Sequence, residues 1–382
     1  MVDGFLVLDK PSGRTSHDLV ADVRRASGIK KVGHAGTLDP MATGIVVVAI
    51  NRCTRLIRFI QDQPKEYVAT AVFGVATDSL DADGTETDRT EMSVDLHELR
   101  SIAAERFVGE ILQVPPMVSA LKKEGRRLYD LARQGIEVDR EPRPVTIHEL
   151  DIQSVGPGPQ PEVGFRVVCG KGTYVRSLAD DLARALGGFA HLSALRRTRT
   201  GGATLEDAIT PDELAEWEDH LRDVNTVLSD RPVYRVDEAT AARLRNGIRF
   251  RADDLPDVPF RVLGPGDEFT AMCERKHDQA VPMGVFNGAP VAPAAGSLPS
   301  SVRSRYLERV GCCERSVPCP CGSDSWALEE NGDRETRDNL AQVQGVRAWQ
   351  NGDVTSIEVL TGDPFAWEVR GARSAVAIGV FD

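Results

Sequence analysis

Residues 1 to about 230 alternate strand-like apolar runs with amphipathic helical stretches, and this alternation most restricts the fold. The run IVVVAI at 45–50 is rich in β-branched residues and predicts a buried strand. Further strands are predicted at 5–8, 67–73 and 164–170, and helices at 17–27, near 95–108, from Thr173 to Gly187-Gly188, and from Thr210. Because these elements follow no strict strand–helix–strand rhythm, we expect an α+β fold.

The distribution of charge changes what the total charge implies. A net charge of −12, from 46 basic and 58 acidic residues, argues against a nucleic-acid or anionic-membrane partner. Residues 1–60, 121–144 and 166–199, however, carry +4, +2 and +5. Because salt screens charges over about 10 Å, local charge decides whether a surface attracts phosphates. These segments indicate a nucleic-acid surface or, as the alternative, solvated helix faces.

Targeting signals and cysteines give expectations about location and metal binding. No run of 18 or more apolar residues occurs, and the N-terminus lacks the pattern of a secretory signal. We therefore expect no membrane span and a cytoplasmic location. Four of the seven cysteines lie within 312–321 (CCERSVPCPC). This spacing lacks the paired C-x2-C halves of common zinc sites, so we expect an oxidation-prone tail and no metal.

A glycine-punctuated loop, Gly33–Gly44 (GHAGTLDPMATG), immediately precedes the strand at 45–50. Its glycines allow the backbone to approach a ligand closely, and Pro40 stiffens the chain next to Asp39. A carboxylate held on a rigid loop can act as a nucleophile or a general base. From these residues alone a turn role for Asp39 is the more common one, because Asp before Pro favours turns.

Five sequence blocks occur in one order along the first 201 residues. They are LDKPSGRTSHD (8–18) with the loop above, KEYVATAVFGVATDSLDADG (65–84), PPMVSALKKEGRRLYDLARQG (115–135), CGKGTYVRSLADDLARALG (169–187) and HLSALRRTRTG (191–201). Together they resemble the TruB-type tRNA pseudouridine synthases, which modify the T-loop uridine at position 55 of tRNA. The resemblance covers about 230 residues. It implies a pseudouridine-synthase core, with helices around a mixed, largely antiparallel sheet.

The resemblance implies that Asp39 is the catalytic residue. In the family this aspartate attacks the flipped uridine; the N1–C1′ bond breaks, the base rotates, and a C5–C1′ bond forms. Tyr67 matches the tyrosine that stacks on the target base and is a candidate for removing the C5 proton. Arg176 matches the arginine that pairs with the aspartate, and we expect this opposite charge to lower the pKa of Asp39.

Four further residues match positions that bind the substrate or support the site. Tyr174 and Leu195 match residues that line the uracil pocket. His34 matches the loop histidine that holds the flipped conformation, and Lys10 matches a structural or backbone-contacting lysine. Flipping a base requires an aromatic platform and a group that fills the vacancy, and Tyr67 and His34 are suitable types. Taken singly, Tyr67 would more often be a half-buried sheet residue, Tyr174 a core residue and Arg176 a surface ion-pair partner.

The basic stretch 119–135 matches an insertion that folds over the RNA arm like a thumb, placed here at about 115–145. Residues predicted to contact the RNA backbone are Lys122, Lys123, Arg126, Arg127, Arg196 and Arg197. The alternative for the stretch is an amphipathic, solvated helix preceded by a charged turn. Val118 stands where many relatives carry an aromatic residue.

The composition changes near Arg231-Pro232, which suggests a domain boundary. Residues 232–287 contain one helix-like stretch, a turn at Asn246-Gly247 and short strand-like runs, and occupy the place of the family's small PUA-like β-barrel. Residues 288–382 are predicted to be a linker or disordered tail. The final GVFD (379–382) resembles the opening strand of bifunctional riboflavin kinase/FAD synthetases, without the nucleotide-binding loop that follows it there.

The resemblance implies a stand-alone, cofactor-free isomerase that acts on the T arm of tRNA. It also implies a monomer with no obligate protein partner and no membrane contact. One alternative is a non-catalytic tRNA-binding or chaperone module on the same fold, against which the joint presence of Asp39, Tyr67 and Arg176 argues. A flavin-nucleotide enzyme is a third hypothesis, disfavoured by the missing loop.

Overall fold

The computed structural model describes residues 2–119, 136 and 138–286, and the backbone of 122–123, 126–127, 343–351 and 354–361. Two compact units are present, Met1–Arg303 and Ser304–Asp382. The cysteine cluster at 312–321, the predicted linker at 288–340 and the final GVFD lie outside the described residues.

The larger unit is built around a nine-stranded sheet. Its strands and two small hairpins are β1 (Gly4–Lys10), β2 (Val32–His34), β3 (Thr43–Ile50), β4 (Lys65–Phe73), β5 (Val75–Thr77), β6 (Glu86–Arg89), β7 (Gly109–Gln113), β8 (Lys122–Lys123), β9 (Arg126–Arg127), β10 (Arg143–Val155), β11 (Glu162–Cys169), β12 (Ala190–Thr200) and β13 (Ala203–Thr204). The sheet order is β1-β3-β12-β4-β11-β10-β7, with β2 beside β3 and β13 beside β12. Among the described pairings of this sheet only β3 with β12 is parallel. The predicted mixed, largely antiparallel α+β core is therefore confirmed.

Strand β3 is buried on both faces, which explains its continuous apolar run. Val46, Val48 and Ile50 pack into one hydrophobic cluster, on the side of the main helices. Ile45, Val47 and Ala49 pack into a second cluster on the opposite face. Alternation along a strand sends neighbouring side chains to opposite faces, so a strand between two cores has no polar position.

Helices cover the sheet and complete the main cluster. They are α1 (Ser16–Ser27), α2 (Ile57–Gln61), α3 (Leu96–Arg106), α4 (Val175–Ala185), α5 (Val224–Val227) and α6 (Glu238–Arg245), with 3₁₀ helices at Asn51–Leu56, Leu205–Asp207 and Pro211–His220. Leu19, Val20 and Val23 of α1 are buried, as their spacing predicts. Gly28 ends the helix with φ 70°, as predicted from glycine's tolerance of this conformation.

The helices predicted at 17–27 and from Thr173 differ by one residue at their starts. Helix α1 begins at Ser16 and Thr15 caps it, because the Thr15 hydroxyl accepts a hydrogen bond from Asp18 N while the Asp18 carboxylate accepts one from Thr15 N. This leaves the Ser16 hydroxyl free to accept a hydrogen bond from Leu38 N at 2.8 Å. Helix α4 begins after Tyr174 rather than Thr173, and its cap has no side-chain hydrogen bond.

Several strands are absent from the sequence-based prediction. The longest is β10, in which register shifts between Ile147 and Glu149 and between Ile152 and Ser154 interrupt the pairing with β11. Such bulges break the two-residue alternation that reveals a strand in a sequence. The predicted loop at 77–91 contains β6, which pairs with β5. Within 119–135, β8 pairs with β9, and the residues that would form the alternative amphipathic helix after its charged turn lie outside the described residues.

A second, five-stranded sheet follows Pro232. Its strands are β14 (Val233–Arg235), β15 (Phe250–Arg251), β16 (Phe260–Leu263), β17 (Phe269–Lys276) and β18 (Gln279–Val285), in the order β14-β16-β17-β18-β15. Leu263, Phe269, Met272 and Phe286 join the second hydrophobic cluster beneath β3. The β-rich character predicted for this region is present, and its core is continuous with that of the large sheet. The domain boundary at 231/232 stays a prediction.

The smaller unit is described only by its backbone. Strand β19 (Val343–Asn351) pairs antiparallel with β20 (Val354–Thr361). Its two strands lie in the region predicted to be a disordered tail. The rest of that tail lies outside the described residues.

Candidate active site

Asp39 lies on the loop between β2 and β3, which the segment after β1 holds in place. Gly13 N donates to Pro40 O at 2.8 Å, and the Ser12 hydroxyl donates to Met41 O at 3.2 Å. Ser16 contributes the hydrogen bond to Leu38 described above. The loop is therefore tied to the protein on both sides of Asp39, and this rigidity suits a positioned carboxylate.

Lys10 anchors the same loop from the protein interior. Its side chain is buried, and Nζ donates to Pro11 O, Arg14 O and Pro40 O at 3.0, 2.7 and 3.0 Å. Burial is the main reason that the pKa of Lys10 falls from 10.5 to about 8. Its contacts are with protein carbonyls, in keeping with a structural lysine.

Arg176 connects Asp39 to a second carboxylate. The guanidinium Nε lies 3.0 Å from Asp39 Oδ2, and Nη1 lies 3.0 Å from Asp81 Oδ2. Two main-chain bonds add to these, from Nη1 to Ser79 O at 2.7 Å and from Nη2 to Val118 O at 2.8 Å. With all three guanidinium nitrogens engaged, the arginine has one fixed orientation toward Asp39.

The electrostatic environment of Asp39 differs from the sequence-based expectation. Arg176 and Lys10 lower the pKa of Asp39, but desolvation and the Asp81 carboxylate raise it, and the net shift is upward. Arg176 thus has the expected lowering effect on the pKa of Asp39, but burial and the like charge of Asp81 outweigh it. The side chain of Asp39 remains 34% exposed, so a substrate can reach the carboxylate.

Asp81 was missed by sequence reasoning, although it lies within a quoted block. A tight loop presents it: Ser79 Oγ donates to Asp81 Oδ1 at 2.5 Å, and Asp83 N donates to the same oxygen at 3.2 Å. Leu80 beside it has φ 61°, uncommon for a residue other than glycine. The only signal in the sequence is a cluster of aspartates, which by itself favours a turn.

Tyr67 and Leu195 form the floor beside Asp39. They lie on the adjacent strands β4 and β12, where Tyr67 pairs with Arg197 and Leu195 with Ala69. Both are mostly buried, at 9% and 7% exposure. Burial raises the pKa of Tyr67, Arg197 lowers it and Asp39 raises it, with a net upward shift, so the phenol is neutral near neutral pH.

Arg197 does not have the surface position expected of an RNA-backbone contact. Its side chain is 1% exposed, and its guanidinium donates to Ile45 O at 2.6 Å, Gly36 O at 3.2 Å and Thr37 O at 3.5 Å. The prediction is wrong for this residue because all three nitrogens point into the protein. A fully buried guanidinium cannot reach a phosphate.

Gln113 fixes the position of Tyr174 at the start of α4. The amide of Gln113 accepts from Tyr174 N at 2.8 Å and donates to Tyr174 O at 3.0 Å. Gln113 is a second residue missed by sequence reasoning, since nothing in its local sequence marks it. Burial raises the pKa of Tyr174.

His34 ends β2 at the entrance to the loop. Its Nδ1 is buried without a hydrogen-bond partner in the described part of the protein. Burial lowers the pKa of His34, which favours the neutral ring near neutral pH. The ring is thus an uncharged, half-buried group beside the catalytic loop.

Of the other predicted RNA contacts, the structure describes the side chain of Arg196. Arg196 is 40% exposed and forms a two-point ion pair with Asp9, at 2.6 and 3.1 Å. For Lys122, Lys123, Arg126 and Arg127 the structure gives the hairpin of β8 and β9 but no side-chain positions. In the residues that are described, no three His, Cys, Asp or Glu side chains come together as a metal site. No helix of the described segments is long and apolar enough to cross a membrane.

Comparison with known proteins assigns this arrangement to a family. Residues 24–175 match the TruB family pseudouridylate synthase N-terminal domain, and residues 176–231 match the tRNA pseudouridylate synthase B C-terminal domain. The chain belongs to the TruB family of pseudouridylate synthases. The predicted family and enzyme class, an isomerase, are confirmed.

Individual relatives of this TruB-family protein agree with the assignment. The tRNA pseudouridine synthase B of Symbiobacterium thermophilum is 49% identical over 247 residues, covering 65% of this chain and 83% of the relative. That of Geotalea uraniireducens is 41% identical over 318 residues, covering 81% and 97%. A solved Cbf5–Nop10–Gar1 complex aligns with a TM-score of 0.58 and 25% identity, over 75% of this chain and 85% of that chain.

Proposed function

We propose that this TruB-family enzyme converts the T-loop uridine at position 55 of tRNA into pseudouridine. The observation that carries the proposal is the pairing of Asp39 with Arg176 on a loop anchored on both sides, next to Tyr67. The named relatives described above are tRNA pseudouridine synthases, which supports tRNA as the substrate.

Each site residue has a role in the proposed reaction. Asp39 supplies the nucleophilic carboxylate, which Arg176 aims and partly neutralises. Tyr67 stacks on the extruded uracil and is the candidate for assisting removal of the C5 proton. The reaction exchanges the N1–C1′ bond for a C5–C1′ bond, with one proton lost from C5 and one gained at N1. Tyr174, Leu195 and His34 would line the pocket that holds the flipped nucleotide.

Residues outside the pocket would bind the tRNA backbone. Arg196 is 40% exposed and directly follows the pocket residue Leu195 in the sequence. The β8–β9 hairpin carries four further basic residues. The proposal includes the five-stranded sheet as a PUA-like domain that contacts the RNA. The enzyme would act in the cytoplasm as a monomer, without cofactor or obligate protein partner. Unpaired thiols at Cys53, Cys169 and Cys273 agree with a reducing compartment.

Incubation with a tRNA T arm, followed by carbodiimide treatment and primer extension, tests the proposal. We expect one stop, at the uridine of position 55, with the wild-type protein and none with Asp39→Asn. The matched control is Asp267→Asn, an exposed carboxylate of the five-stranded sheet, which should retain the stop. Binding of the T arm without modification by the wild type would instead support the non-catalytic tRNA-binding module.

A further inference from the structure

Arg197 is a buried cation without an ion-pair partner in the described part of the chain. Its side chain is 1% exposed, and its hydrogen bonds go to the main-chain carbonyls described above. Removing a charge from water is costly, and a buried guanidinium is normally paired with a carboxylate. Arg166, on β11 at the other side of β4, shows the common arrangement, with ion pairs to Glu66 and Glu149 at 2.8 Å.

The three carbonyls are placed at both ends of the loop that carries Asp39. Gly36 and Thr37 precede Asp39, and Ile45 follows it at the start of β3. The guanidinium therefore links the residues before Asp39 in the loop to the strand that follows the loop. A planar group with several donors can make these bonds together, whereas an ammonium group on a flexible stem is a single point charge.

The same guanidinium also contacts Tyr67. The two residues pair across β12 and β4, and the guanidinium carbon lies 6.0 Å from the ring centroid of Tyr67. A cation near the face of an aromatic ring is attracted by it. Arg197 thus touches both the loop of the nucleophile and the ring proposed to stack on the base.

We infer that Arg197 is a positioning residue for the reaction, holding the Asp39 loop and the Tyr67 ring in a fixed relative arrangement. It acts through these two groups and not through the RNA. The inference rests on the proposed function, in which Asp39 attacks a nucleotide stacked on Tyr67. Leu195 lies two residues earlier on the same strand, so it shares a face with Arg197, while Arg196 faces the other side.

Single-turnover kinetics of Arg197→Lys and Arg197→Gln with a tRNA T arm test the inference. Because small displacements of reacting groups cost about 100-fold in rate, we expect kcat to fall by about 100-fold in each variant. The KM and the salt dependence of RNA binding should stay as in the wild type, since no phosphate contact is lost. Arg166→Lys, an arginine of the same sheet with 31% exposure, is the matched control and should keep its kcat.

A double-mutant cycle with Tyr67→Leu, which removes the aromatic ring, examines the link to the ring. The combined loss in kcat should be smaller than the product of the single losses, because both variants disturb one arrangement. If the loss in kcat of the double variant equals the product of the two single losses, the two side chains act independently, and the link and the inference are overturned. If the Arg197 variants keep the wild-type kcat but show a raised KM and a smaller salt dependence of RNA binding, Arg197 contacts the RNA. That result would also overturn the inference.

Folding and the wild-type activity separate the remaining outcomes. If neither Arg197 variant folds, as judged by a thermal melt, Arg197 belongs to fold stability and the inference is overturned. If the wild type itself forms no pseudouridine, the proposed function fails. If the wild type is active and Arg197→Lys matches it, only this inference fails.

Discussion

Gly44 and Arg197 approach so closely that a Cβ atom on Gly44 would stand 2.2 Å from the carbonyl oxygen of Arg197. Gly44 is the second residue of β3, has φ 100°, and pairs directly with Arg197 across the parallel part of the sheet. Glycine is therefore required at this last position of the loop motif, because the backbones of β3 and β12 are in contact there. A side chain there would push β12 away from the exit of the catalytic loop.

Gly44→Ala is expected to destabilise the protein and to lower its activity. The positive φ costs about 1–2 kcal/mol for a residue with a Cβ, and the contact adds about 1–3 kcal/mol. Gly187→Ala is the control, because Gly187 has φ 84° but open space around it. Urea denaturation should show a clearly larger loss of unfolding free energy for Gly44→Ala. Equal losses in the two variants would contradict the close-contact argument.

Asp81→Asn should move the acid limb of the pH–rate profile to lower pH. The pKa of Asp39 is raised by desolvation and by the Asp81 charge, and activity requires the ionised form, so activity disappears as the pH falls through that pKa. Removing the Asp81 charge lowers the pKa of Asp39. We also expect kcat at neutral pH to fall by about tenfold, because Arg176 loses a charged hydrogen bond. Asp267→Asn should leave the limb in place, and an upward shift in Asp81→Asn would refute the electrostatic argument.

Lys10 should make a pH-dependent contribution to stability. Its folded-state pKa of about 8 lies below the ordinary 10.5, so between these values the unfolded chain binds more protons. Unfolding free energy of the wild type should therefore rise relative to Lys10→Met from pH 8 to 10.5, by at most about 1.4 kcal/mol per pH unit. Lys171→Met, at an exposed ion pair with Asp62, should show no such difference. If the unfolding free energy of the wild type instead falls relative to that of Lys10→Met as the pH rises, the lowered pKa of Lys10 is contradicted.

Arg196→Met should weaken RNA binding and reduce its dependence on salt. The loss of one phosphate contact lowers the slope of log K against log salt by about one unit. Titrations of the T arm at several salt concentrations measure this slope. Arg235→Met, which breaks an exposed ion pair of the five-stranded sheet, provides a comparison. An unchanged slope in Arg196→Met would assign Arg196 to its ion pair with Asp9 alone.

The sequence predicts best those features that local rules determine. The run at 45–50 and the Leu19, Val20 and Val23 face of α1 follow from burial on one or two sides. Strand β10 could not be found in this way, because two bulges remove its periodicity. The family blocks identify Asp39 and Arg176. The three residues are far apart in the chain, so the sequence does not show that Asp81 also contacts Arg176.

Arg196 and Arg197 show a different limit of sequence-based prediction. Adjacent arginines look alike in a basic stretch, and counting charge assigns both to the RNA surface. Strand alternation would have separated them, since one of two neighbours on a half-buried strand faces inward. The residues of this strand show no apolar–polar alternation that predicts a strand by itself, so the inward position of Arg197 is not visible in the sequence.

The second hydrophobic cluster sets the shortest piece of this protein that can be studied as an enzyme. Phe5 and Val7 of β1 share that cluster with Leu263, Phe269 and Phe286. A version ending at residue 231 would leave the underside of the strand that follows the catalytic loop in contact with water. Expression of a fragment for crystallisation should therefore extend at least through Phe286, even where only the chemistry at Asp39 is of interest.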